Sequence, residues 1–346
     1  MDKQFLIEML KTDSVSGKEI KLQKKVLKHY RDVMDEQITD LSGNVINIIN
    51  PYAKTRVLLC GHIDEIGLYV THITKDGFIK VTQAGGIYPT TYLGHHVMIH
   101  SENEDISGVV VNTRELSQQK DLKVKDLTID IGAKDDKEAA HHVQIGDSVT
   151  FDTPINELLD HKLTARAIDD RSGAFIVLEA VKKAQAMGCK IGAYALTSTG
   201  EETTSRGAYF ASSKIKPNMA IIVDVTYTSD YPGVDASGSG EVKLGQGPVL
   251  CQSSIVNQNM NTKLKAIANR LNISYQIETF AGRTFTDADK IHFTNEGVPL
   301  CLISLPLRYM HNPAEVCDLR DIQNSIDLIA AFLCEIDETF NLDPFK

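Results

Sequence analysis

Apolar residues recur at helical spacing near the start of the chain. Ile20, Leu22, Val26, Leu27 and Tyr30 form one face among lysines, and residues 1–40 read as helix. Short apolar runs at 45–49 and 57–60, parted by the turn signal Asn50-Pro51, read as strands. From about Thr71 to Phe151 the texture changes. Brief β-forming stretches at 78–81, 96–100, 108–111, 127–131 and 148–151 alternate with Gly, Asn and Asp turns, the pattern of a small all-β sandwich or barrel. Beyond Leu163 the spacing predicts helices at 175–183, 206–214, 262–271 and 287–295. Strands are predicted at 191–198, 219–225, 274–279 and 298–304. A last amphipathic helix presents Ile322, Ile326, Ile329, Leu333 and Ile336 on one face. Strands alternating with helices imply a sheet covered on both sides. The segment before Thr71 is too short to stand alone. The economical arrangement is an α/β domain of residues 1–70 plus 163–346, interrupted by an inserted β domain at 71–162.

A length of 346 residues suits two domains, or one large domain with an insertion. The formal charge of −10 argues against a nucleic-acid partner, which needs a basic surface. No apolar run approaches the roughly 20 residues that cross a bilayer, and Met1-Asp2-Lys3-Gln4-Phe5 does not open a signal peptide. The 6 cysteines are scattered, form no Cys-x-x-Cys pair and sit largely in apolar runs, as buried thiols in a reducing compartment would. A soluble cytoplasmic protein is expected, and any metal would be held by histidines and carboxylates.

In open α/β sheets ligands collect at the carboxyl ends of strands. Gly61-His62-Ile63-Asp64-Glu65-Ile66-Gly67 follows the run 57–60, and Asp169-Asp170 precedes the helix 175–183. Glu201-Glu202 follows the strand 191–198, Asp224 lies at the end of 219–225, and His311 follows 298–304. Singly, each has a plain explanation. His62 could be a satisfied core histidine, Asp64 a turn residue and Asp169-Asp170 a helix cap. Glu201-Glu202 could be a solvated pair, Asp224 an Asx turn and His311 an exposed loop residue. Together they bring two histidines and several carboxylates to one sheet edge. Packing does not ask for that, and it is costly unless the charges meet water, a partner or a cation.

The residues also carry a resemblance. Cys60-Gly61-His62-Ile63-Asp64-Glu65-Ile66-Gly67 resembles the His-x-Asp-Glu-[Ile/Val]-Gly motif of the M42 metalloaminopeptidases, the glutamyl and tetrahedral aminopeptidase group, some members of which are labelled endoglucanases. Ala167-Ile168-Asp169-Asp170-Arg171-Ser172-Gly173 is similar to its Leu-Asp-Asp-Arg-x-Gly. Glu201-Glu202 with Arg206-Gly207-Ala208 matches its Glu-Glu-Val-Gly-x-Arg-Gly-Ala in outline. Val223-Asp224-Val225 and the stretch 308–316, Arg-Tyr-Met-His-Asn-Pro-Ala-Glu-Val, follow in order. Ala84-Gly85-Gly86 and the stretch 127–133 match within the insertion. The likeness covers nearly the whole chain.

The resemblance implies a zinc-peptidase-type α/β fold: a central mixed sheet flanked by helices, with an inserted small all-β barrel-like domain serving oligomerisation and substrate access. It implies an aminopeptidase that removes N-terminal residues from peptides with two divalent ions, zinc, cobalt or manganese. Asp169 would bridge them, His62 and Asp224 would hold one, and Glu202 and His311 the other. Glu201 would be the general base, and Asp64 would orient His62. A nitrogen and oxygen donor set without thiolates suits those ions and does not choose among them. It further implies homo-oligomers, from dimers to tetrahedral dodecamers.

Two departures stand out. Thr203-Thr204-Ser205 replaces the expected Val-Gly-x, which bears on the shape of the loop behind Glu201. Gly282-Arg283-Thr284-Phe285 differs from the commoner glycine-rich version of the segment that lines the side-chain pocket, where Arg283, Thr286 and Asp287 would contact substrate. Arg283 could attract acidic N-terminal residues, but a surface loop arginine explains it equally, so no acidic selectivity is assigned. Other patterns weigh little. Gly238-Ser239-Gly240 opens no helix with a dinucleotide fingerprint. The pairs His95-His96 and His141-His142 would point apart in strands. The rivals are an endoglucanase-type glycosidase, a hydrolase of another amide bond, and a non-catalytic scaffold. Paired carboxylates alone hydrolyse sugars, and His62 and His311 count against that.

Overall fold

Eight strands make a mixed sheet and six more close a barrel beside it, in a computed structural model that describes residues 1–238 and 240–346. Ser239, in the glycine-rich stretch noted above, lies outside the described residues. β1 (Glu36–Thr39), β2 (Val45–Ile49) and β3 (Arg56–His62) enter the sheet first. The chain then leaves it for β4 (Gly67–Ile73), β5 (Ile79–Ala84), β6 (His96–His100), β7 (Asp105–Val110), β8 (Thr128–Asp130) and β9 (Ser148–Phe151). These close the barrel in the order β4-β5-β8-β7-β6-β9. After β10 (Asn156–Glu157) and β11 (Lys162–Ala165), the strands β12 (Gly192–Ser198), β13 (Met219–Tyr227), β14 (Val249–Ser253), β15 (Gln276–Phe280) and β16 (Leu300–Leu307) complete the sheet. Its order is β1-β2-β12-β3-β13-β16-β14-β15, and β17 (Glu315–Asp318) pairs with β11 in a separate three-stranded sheet.

The sheet and the barrel each bury their own apolar cluster. Phe175, Leu196 and Leu302 belong to one, and Leu68, Val97 and Ile129 to the other. Strands β3, β12, β13 and β16 are buried along nearly their whole length, so they read as continuous apolar runs instead of alternating ones. The barrel strand β6 does alternate, with Val97 and Ile99 buried between more exposed neighbours.

The start of the chain differs from expectation. Two helices form, Lys3–Lys11 and Ile20–Tyr30, and 36–39 is a strand. Ile20 is exposed, while Leu22, Val26 and Tyr30 are buried. The helix expected at 287–295 is reduced to Ala288–Ile291, and Asn295 turns the chain with φ 56°. His141 and His142 close the short helix Asp136–His142, not a strand. Among the described residues no helix is long and apolar enough to cross a membrane.

Parallel register aligns the strand ends that matter. Ser198 of β12 pairs with His62 of β3, Ile222 of β13 with Cys60, and Ser304 of β16 with Asp224. His62 and Asp224 each stand two residues beyond the Cys60–Ile222 pair, so they reach the same level of neighbouring strands.

Candidate metal centre

Five segments converge at this edge. His62 is the last residue of β3 and Asp224 lies near the end of β13, which runs on to Tyr227. Asp169 opens the helix Ile168–Ala186, Glu201 and Glu202 lie in the turn after β12, and His311 lies between β16 and β17. Close approach of β3 to that helix depends on Gly61, where a Cβ would stand 2.4 Å from the Ala174 nitrogen. Ala167, Tyr309 and His311 all hold left-handed backbone, with φ of 56°, 61° and 62°. Such conformations persist in non-glycine residues where the surroundings over-determine them.

Asp169 sits between the two imidazoles. Its Oδ1 is 3.1 Å from His62 Nε2 and its Oδ2 is 3.2 Å from His311 Nε2. Glu202 Oε1 is 3.4 Å from His311 Nε2, and Glu201 Oε2 is 3.9 Å from His62 Nε2. Ligand atoms of His62, Asp169 and Glu202 lie within 4.8 Å of one another, as do those of His62, Asp170 and Asp224. Both sets are imidazole and carboxylate donors with no thiolate, a chemistry that fits a borderline divalent ion. Cys60, though near, has its thiol turned to Ser198 and Asp287.

Around the donors stands a frame of main-chain hydrogen bonds. Asp64 presents its carbonyl oxygen 3.1 Å from His62 Nδ1, with its own Oδ1 at 3.5 Å. Its carboxylate accepts the amide of Glu201 at 3.1 Å and that of Glu202 at 3.2 Å, so one buried side chain fixes the whole Glu201-Glu202 turn. Asp170 accepts from the His62 amide at 3.1 Å and caps its helix through the Gly173 amide at 2.9 Å. Glu65 pairs with Arg166 and with the fully buried Arg171, which also donates to the carbonyls of Met9 and Leu10 and so ties the first helix to the site. The unusual triplet folds into the turn: Thr204 and Ser205 donate their amides to the Gly200 carbonyl, and the Thr203 hydroxyl meets that of Ser16 at 2.9 Å.

Two contributions escaped the sequence reading. Glu315 accepts the amides of Asp169 and His311, and its only advance signal is its place four residues after His311 in the quoted stretch 308–316. Gly85 and Gly86, at the end of β5, bring the barrel onto the donors. A Cβ on Gly85 would stand 3.2 Å from Glu202 Oε2, and one on Gly86 would stand 3.4 Å from the His311 ring.

The electrostatics follow from crowding. Burial drives the carboxyls of Asp170, Glu201, Glu202 and Asp224 above their ordinary range, helped at Asp170 and Glu201 by Asp224 and at Glu202 and Asp224 by Asp169. Asp169 is held low despite its burial, because His311 and His62 flank it. Burial alone would lower both imidazoles. Asp169 with Asp64 raises His62 well above its usual value, and Asp169 with Glu202 raises His311 to about 12. Crowding this many carboxyls around two imidazoles away from water is costly, and a bound cation would offset that cost.

A cavity of about 460 Å³ opens on the cluster, lined by His62, Asp169, Glu201, Glu202, Asp224 and His311 together with Thr286. A second, about 740 Å³, shares Glu201, Glu202, His311 and Thr286 and adds the exposed Arg283. Asp287 lines neither cavity; it is buried and accepts the Ser198 hydroxyl at 2.5 Å.

The family model for the M42 glutamyl aminopeptidases matches residues 43–328. The chain belongs to this family. It is accordingly a hydrolase acting on peptide bonds. This M42 chain is 30% identical over 344 residues to a lysyl aminopeptidase of Pyrococcus furiosus, covering 97% of itself and 98% of that protein. Among solved structures it is similar to aminopeptidase APDkam598 from the archaeon Desulfurococcus kamchatkensis, with TM-score 0.90 and 31% identity over 96% of this chain and 94% of that one. It is also similar to the TET1 peptidase of Pyrococcus horikoshii, which can assemble into a tetrahedron or a large octahedral shell. There the TM-score is 0.85 and the identity 28%, over 96% of this chain and 100% of that one.

Proposed function

We propose that this M42 chain is an aminopeptidase working with two divalent metal ions. Asp169 would be shared between them, His62 and Asp224 would hold one, and Glu202 and His311 the other. Asp169 carries the assignment, because its two oxygens address two different imidazoles at 3.1 and 3.2 Å. Asp170 stands in one donor cluster, but both its oxygens are engaged by the amides of His62 and Gly173, so it serves as an anchor. Ions bound there would supply the Lewis acidity that polarises the scissile carbonyl and acidifies the attacking water.

The chain's own residues do the rest. Glu201 lines both cavities, and its Oε2 stands 3.9 Å from His62 Nε2, further than Asp169 and Glu202 stand from their imidazoles, so its carboxylate is the one assigned to take the water's proton and return it to the leaving amine. Asp64, through the amides of Glu201 and Glu202, anchors the turn that carries both base and ligand. The carboxylate-rich mouth favours a free α-amine over an internal amide, hence removal of one N-terminal residue at a time. The barrel, expected as the insertion 71–162 in a catalytic unit of 1–70 and 163–346 but with its first strand beginning at Gly67, would pack against other copies in a closed shell and restrict entry to unfolded peptides. Free, mostly buried cysteines agree with a cytoplasmic setting.

The deciding assay sets aminoacyl-anilides beside a β-glucan, before and after chelation. Anilide hydrolysis that disappears with the metal and returns with Zn²⁺ or Co²⁺ is expected. Glucan hydrolysis indifferent to chelator would establish the glycosidase rival instead.

A further inference from the structure

The cavity beside the metal cluster has a carboxylate at its far wall that the mechanism above does not use. Glu278, on β15, is 1% exposed and lines the cavity with Thr226, Phe280, Leu302 and Ser304. Its carboxylate accepts the Ser304 hydroxyl at 2.7 Å on one oxygen and the Thr226 hydroxyl on the other. Among the described residues no Lys, Arg or His pairs with it, whereas Glu65, equally buried, is held by Arg166 and Arg171. A buried carboxylate met only by two neutral hydroxyls lacks the cation that usually accompanies such a charge.

Its position relative to the donors is set by the sheet. Thr226 lies two residues beyond Asp224 on β13 and so on the same face, one pleat repeat or about 7 Å further along the strand. Ser304, on β16, stands directly across from Asp224 in the parallel register. The carboxylate therefore meets side chains of two strands beside Asp224, in a cavity that Leu302 and Phe280 also line. A four-carbon stem tipped with an ammonium fits such a path, apolar along its length and anionic at its end.

We propose that Glu278 is the specificity-determining residue of this cavity and that the preferred substrates are peptides with a cationic N-terminal side chain, lysine or arginine. The proposal rests on the aminopeptidase reading above and places the first side chain of the peptide in this cavity, the one that His62, Asp169 and Asp224 line, and not in its neighbour. Thr226 and Ser304 are positioning residues that aim the carboxylate. Burial holds the Glu278 carboxyl above its ordinary range against the two hydroxyl bonds, and an incoming cation would reverse that. Arg283 lines only the neighbouring cavity and does not oppose a cation here.

The test uses the full-length, metal-loaded enzyme with Lys-, Arg-, Leu- and Glu-aminomethylcoumarin. In the wild type, kcat/KM for Lys and Arg should exceed that for Leu by roughly tenfold to a hundredfold, the value of a hydrogen bond to a charged group. In Glu278→Gln the Lys-to-Leu ratio should collapse by about tenfold or more. A wild type that cleaves Leu as fast as Lys overturns the proposal, as does an unchanged ratio in the variant. A binding arm keeps the outcome separate from the aminopeptidase reading and from any failure of the variant to fold. Wild-type enzyme should bind free L-lysine at least about tenfold more tightly than L-norleucine, which lacks only the ammonium. Lysine preference in an enzyme that cuts no amide would sink the aminopeptidase reading and leave the cation pocket standing. Equal binding of the two amino acids would sink the pocket.

Discussion

Glu315 holds Asp169 and His311 in one grip. Its Oε2 accepts the Asp169 amide at 3.1 Å and its Oε1 accepts the His311 amide at 2.9 Å. The two residues are far apart in sequence, yet their spacing across the candidate site is set by one buried side chain. Glu315→Gln replaces one acceptor by an amide that faces a donor, so one of the two main-chain segments must shift. Supporting residues of metal ligands typically contribute about 10–100-fold in affinity. A loss of that order is expected in Zn²⁺ or Co²⁺ titrations of Glu315→Gln, with circular dichroism unchanged. Wild-type affinity in a folded variant would show that the grip is dispensable.

Glu201 and Glu202 are neighbours with separate assignments, and mutation should divide them. Glu201→Gln removes the proposed proton acceptor and none of the proposed ligands. Metal content should hold while kcat on aminoacyl-anilides falls by roughly 10²–10⁴-fold. Glu202→Gln removes a donor, so metal should be lost in parallel with activity. Elemental analysis beside kinetics distinguishes them, and near-native kcat in Glu201→Gln would remove it as the base.

How much of this was legible in the chain differs from residue to residue. His62, Asp169, Glu201, Glu202, Asp224 and His311 follow or precede elements with strong apolar signals, so pattern and motif alone bring them to one edge. Glu315 and Asp170 work by accepting main-chain amides from other segments, a role decided by tertiary contact. No local spacing encodes it. The edge strand β1 was unreadable for a different reason. It carries a single apolar residue, Ile38, and is half exposed, so it offers no alternation to detect. The barrel was readable as β structure, but the approach of Gly85 and Gly86 to Glu202 and His311 depends on how barrel and sheet meet.

Gly85 makes that meeting sensitive to a single methyl. It has φ 85°, and a Cβ there would lie 2.7 Å from Ile66 Cγ2 as well as 3.2 Å from Glu202 Oε2. Gly132, with φ 77° and nothing within 4 Å of its Cβ position, carries the same backbone strain without the contact. Both alanine variants should lose about 1–2 kcal/mol to left-handed backbone. Only Gly85→Ala should also weaken metal binding and raise KM. Equal behaviour of the two variants would show that the barrel end does not touch the chemistry.

Asp321, which is not among the proposed ligands, should set a pH dependence of stability. Buried at the start of the helix Leu319–Glu335, it accepts the amides of Gly245 and Gly247 at 2.7 Å each. Burial raises its carboxyl to about 6 from an ordinary 3.8 against those two bonds. A raised folded-state value means that the folded protein binds this proton more tightly than the unfolded chain does. The resulting stabilisation is complete below the unfolded value and is lost as pH rises through the folded one. Asp321→Asn cannot titrate, and it loses an acceptor, so it should be less stable at every pH. The gap between wild type and variant should widen on acidification, by about 1 kcal/mol from pH 7.5 to pH 5 and by up to about 3 kcal/mol where the fold survives below pH 4. Urea unfolding of both proteins across that range measures the gap directly, with the other titrating groups common to both. A gap that stays flat or narrows would place the folded-state value at or below that of a free aspartate, with the two glycine amides outweighing burial.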